Sequence, residues 1–60
     1  MDRMTLDYLA SIMVQDASSV SVAVMDGTKV PDEELKRVIN SKLDALKADI
    51  ANIQHFIESV

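Results

Sequence analysis

The chain is 60 residues long and carries six Lys plus Arg against ten Asp plus Glu, for a formal net charge of −4, with one Gly, one Pro and no Cys. A chain this short holds one small domain and buries only about 60% of its unfolded surface, and without cysteine neither a disulfide nor a thiolate metal site can help to stabilise it. Each half of the chain carries a net −2, so no basic arm exists to neutralise phosphates, and a nucleic-acid partner is disfavoured.

The first predicted element is a short helix over about residues 5–17. Leu6, Leu9, Ala10, Met13 and Ala17 recur at helical spacing, Thr5 is a suitable N-cap, and Asp7 falls in the first turn where the helix dipole favours an acid. Tyr8, Ile12 and Val14 lie outside that stripe, so the apolar surface is wider than one neighbour covers. Tyr8 and Ile12, with Asp7 and Asp16 as flanking charges, are candidates for contact with another protein.

The second predicted element is a β-hairpin over about residues 19–30. Val20, Val22 and Val24 alternate with smaller residues at period two, and Asp26-Gly27 is a strong signal for a two-residue turn with positive φ. Such a ribbon is marginal in water and needs helices or further strands against its valine face.

The third predicted element is a long helix over about residues 32–59, opened by Pro31 and the acids Asp32, Glu33 and Glu34. Ile39, Leu43, Leu46, Ile50, Ile53, Ile57 and Val60 are separated by 4, 3, 4, 3, 4 and 3 residues, an unbroken heptad seam with Leu43, Ile50 and Ile57 at a and the others at d. A three-turn first helix cannot cover this seam, so the six positions from Ile39 to Ile57 are expected to form an oligomer interface, a homodimer above all. Flank charges favour an antiparallel pair, in which Lys42 meets Asp49 of the partner, over a parallel one, in which Lys42 meets Lys47. Phe56, at g, either closes the end of that interface or anchors a partner.

The expected fold is therefore α+β: short N-terminal helix, β-hairpin, long C-terminal helix, assembled as a homo-oligomer. Chemistry has few candidates. His55, the one histidine, falls at the outer f position with Glu58 as its only carboxylate neighbour, fewer ligands than a metal site needs. The run Asp32-Glu33-Glu34 is explained by the helix dipole and by pairing with Lys36 and Arg37 one turn on. No catalytic motif, metal site or cofactor signature is present in the sequence. The function expected is that of a small acidic, non-enzymatic regulator or inhibitor that binds a larger protein with a basic face, similar in size and charge to inhibitors that phages and mobile elements encode. The alternatives are an oligomer that sequesters a small molecule between subunits and a regulator that reads DNA with its β-ribbon. No continuous apolar run approaches 18 residues, and the start lacks the pattern of a signal peptide, so no membrane contact and a cytoplasmic location are expected.

Overall fold

The computed structural model describes residues 1–59; Val60, assigned to the last d position of the seam, lies outside them. Two antiparallel helices make up the chain: α1, Arg3–Asp26, and α2, Asp32–Glu58, joined by a 3-10 turn at Gly27–Lys29. Among the described residues there is no strand, so the α+β expectation is corrected to an all-α helical hairpin.

The correction falls on residues 18–30. Val20, Val22 and Val24 continue α1 instead of forming a ribbon. Valine in a helix costs only tenths of a kcal/mol relative to better formers, and an inner row that suits a helix readily outweighs that. That row exists. Leu6, Leu9, Met13, Asp16, Val20, Ala23 and Gly27 are spaced 3, 4, 3, 4, 3 and 4, the same rhythm as the seam of α2. Asp16 interrupts it and Ala23 and Gly27 are small, which is why the valine alternation at period two is the louder signal.

Both ends of α1 also differ from expectation. Asp2, not Thr5, caps the helix: its Oδ1 accepts from the Met4 and Thr5 backbone N–H at 3.0 and 3.3 Å, and Thr5 Oγ1 donates to Oδ2 at 2.7 Å. Gly27 has φ −81° and ψ 6°, ordinary backbone that any residue adopts, so the positive-φ turn is overturned as well. What a side chain there would meet is the end of Leu35. A Cβ on residue 27 would collide with Leu35 Cδ1 and stand 3.2 Å from Cδ2. Val30 is then held extended before Pro31, as a residue preceding proline must be, and α2 starts.

The hairpin is one layer of two helices, with principal extents of 45 × 15 × 8 Å and a radius of gyration of 14.1 Å. A compact domain of this length has a radius near 10 Å. Among the described residues no hydrophobic side chain is fully buried, and Gly27 is the one buried residue.

Candidate functional site

The heptad rows of α2 separate around the helix. The d row (Ile39, Leu46, Ile53) and the g row (Leu35, Lys42, Asp49, Phe56) are half-buried towards α1. The a row is turned to one flank, where Ile50 is 49% and Ile57 44% exposed, while Val38 of the c row is exposed on the other. The six predicted interface residues are thus divided: three lie against the chain's own α1, while in the a row Ile50 and Ile57 look outward and Leu43 is half-buried. Since the hairpin is a single layer, these flanks belong to its two broad sides.

One broad side carries a half-open cavity of about 280 Å³ near the turn. Its walls are Val22, Ala23, Val30, Leu35 and Val38, with Gly27 beneath; Ser19 and Lys42 lie at one end and Asp26 and Glu34 also border it. Lys42 Nζ donates to Ser19 Oγ at 2.7 Å, so one of its three N–H donors is engaged within the chain. Helical geometry sets Tyr8, Ile12 and Phe56 on this same side, towards the open end of the hairpin; Tyr8 is 65% exposed and the other two are half-buried. Of the predicted partner-binding residues these three share a side, whereas Asp7 is exposed on the back of α1 and Asp16 is turned inward.

Asp16 and Asp49 face each other between the helices, one polar step in two otherwise apolar rows. Hydrogen bonding with the Asp16 carboxyl raises the pKa of Asp49 above the usual carboxylate range, and partial burial and the Asp16 charge act in the same direction. Such a bond needs a shared proton. Oδ2 of Asp49 is enclosed and, while both carboxyls are ionised, has no hydrogen-bond partner. Asp2 is shifted the other way: donation from the Thr5 hydroxyl and from the Thr5 and Met4 backbone holds its carboxyl below that range. Sequence reasoning missed the carboxylate pair because it places Asp16 on an outer face; the 3-4 spacing from Leu9 to Gly27 was the signal that could have found it.

The remaining candidates stay apart. His55 is exposed on the outer face, with its carbonyl accepting from the Ser59 N–H at 3.1 Å. Asp32, Glu33 and Glu34 are exposed, and Glu33 pairs with Lys36 at 3.6 Å, not with Arg37. No three His, Asp or Glu residues gather into a metal-binding group among the described residues. With residues 18–26 in α1 and no strand among the described residues, the ribbon expected as a DNA reader is not formed. The helical course of residues 18–26 also changes the membrane arithmetic: Arg3–Lys29 reaches a mean hydropathy of 1.3 over 18 residues, long and apolar enough to cross a bilayer by length and composition, although Asp7 and Asp16 lie along it. Compared with protein-family models, curated proteins and solved structures, the chain matches none.

Proposed function

We propose that the protein is a non-enzymatic regulator that acts by seating the cavity side of its helical hairpin on a larger protein. The observation that carries this reading is that one side combines a half-open apolar cavity with an aromatic residue, Tyr8, that is 65% exposed. A pocket and an aromatic anchor are the features around which interface energy concentrates. Asp26 and Glu34 beside the cavity, and the net charge of −4, suit a partner with a basic face and would speed encounter with it. The test is affinity capture from the source organism with the wild-type chain and with Tyr8→Ala and Val38→Glu. A specific protein retained by the wild type and lost by both variants, at unchanged helicity, supports the reading; a partner indifferent to both, or a catalytic turnover abolished by His55→Ala, overturns it.

The cavity also favours a second reading, sequestration of a small molecule. Its volume and apolar walls, with the Lys42 ammonium at one end, suit a small amphipathic carboxylate. Saturable binding of short-chain fatty acids, abolished by Val38→Glu, would select this reading over protein docking.

A further inference from the structure

The side opposite the cavity carries two rows of a different kind. On α2 the large residues Leu43, Ile50 and Ile57 stand seven apart. On α1 the smaller residues Ala10, Ala17 and Val24 also stand seven apart, and helical geometry turns them to this same side. Ile50, Ile57 and Val24 are 49%, 44% and 52% exposed. Ala17 is exposed too, and Leu43 and Ala10 are half-buried. We infer that this side is covered by a second copy of the chain, with the large row of each chain lying over the small row of the other.

Area supports a second copy as the occupant. The chain exposes 4707 Å². A compact monomer of its mass exposes about 3,900 Å², leaving roughly 800 Å² in excess. A standard stable interface buries about 800 Å² on each partner. A second hairpin also supplies the second layer that a domain core needs and this chain lacks.

Shape then selects the arrangement. A two-fold axis across the hairpin would set α1 on α1 and α2 on α2, large row against large row, with a gap between the alanines. An axis along the length of the hairpin sets α2 of each chain over α1 of the other, large against small, with both turns at the same end. The register within the chain suits the second arrangement. Ser19 is level with Lys42 and Asp16 with Asp49, which places Ile50 level with the interval between Ala10 and Ala17, and Leu43 with that between Ala17 and Val24. Each large side chain therefore meets a hole between small ones. This replaces the antiparallel α2–α2 pairing expected from the flank charges.

Sedimentation equilibrium of the full chain, read together with circular dichroism, tests the inference. The wild type should be a dimer at micromolar concentration. Ile50→Glu should weaken association at least 100-fold. Since that variant can unfold with the loss of its partner, Ala17→Leu provides a second measure: it keeps helix propensity and adds apolar surface, yet fills the hole for Ile50, and should weaken association at least 10-fold. Tyr8→Ala, on the cavity side, should leave association unchanged, so failure of the dimer and failure of the proposed function are separable. Spin labels on Thr28→Cys should lie about 20 Å apart or closer across two adjacent helix pairs. A helical monomer at these concentrations, an Ala17→Leu chain that associates as well as wild type, a label separation approaching the 45 Å length of the hairpin, or insertion of α1 into lipid vesicles in place of dimerisation would each overturn the inference.

Discussion

At position 27 the backbone is relaxed and the surroundings are not. Because φ is −81°, a substitution meets no strain from the chain itself; it meets Leu35. Gly27→Val should therefore cost roughly 1–3 kcal/mol in urea denaturation, as overpacked sites do. Gly27→Ala should cost less, since the end of the Leu35 side chain can swing aside. Asn should be no better than Ala, because no left-handed conformation needs rescuing; a marked advantage for Asn would restore the positive-φ turn. The two shifted carboxylates make opposite predictions with pH. Asp49 has a folded pKa above 3.8, so protonation favours the fold: this stabilisation is complete below about pH 3.8 and is lost as pH rises through the folded value. Asp2 has a folded pKa below 3.8, so its cap stabilises above that pH and is lost as pH falls through its lowered value. Thermal melts should thus show Asp49→Asn more stable than wild type at pH 7 and lacking the gain that wild type shows on mild acidification. Equal pH profiles would show that Asp16 and Asp49 do not face each other.

α1 and α2 show why one helix is legible and the other only in part. α2 has an apolar seam from Ile39 to Ile57, a proline ahead of its first turn and acids within it, so period, start and dipole agree. In α1 they conflict. Valines at 20, 22 and 24 satisfy period two locally, yet Val20 also belongs to the row running from Leu6 to Gly27 that α2 covers. The tertiary contact decides, because a helix is stabilised mainly by what packs on its face. Ser18 offers a direct test, being exposed and not among the residues that line the cavity. In a helix, Ser18→Ala should raise stability by about 0.5 kcal/mol; in a strand, where alanine is disfavoured, it would lower stability. Amide exchange should likewise protect residues 18–26 in the helical pattern.

A hairpin 45 × 15 × 8 Å in extent with no fully buried hydrophobic side chain among its described residues has little cohesion of its own. Its melting temperature should rise with protein concentration if a second copy supplies the missing layer, and should be independent of concentration if the hairpin stands alone. Added salt should raise it too, since the dimer brings together two chains of net charge −4. The two broad sides divide the labour proposed here: heptad rows of unequal size on one, a cavity with Tyr8 on the other. The sequence identifies Tyr8, Ile12 and Phe56 as apolar residues lying off the main stripes; it cannot show that they share a side, because that depends on the register between the helices.

By itself the sequence determined the small size, the acidity and the absence of cysteine, the helical identity and start of α2, and the presence of more apolar surface than one chain covers. Those are properties of composition and of spacing along a single element. Only the tertiary structure decided that the valine segment is helix, that the end of Leu35 lies against Gly27, that Asp16 turns towards Asp49, and that the seam of α2 divides, its d row spent on α1 with Ile50 and Ile57 left outward. Each of these depends on which residues of one helix stand level with which residues of the other. That register arises from packing between segments distant in sequence, and no local period encodes it.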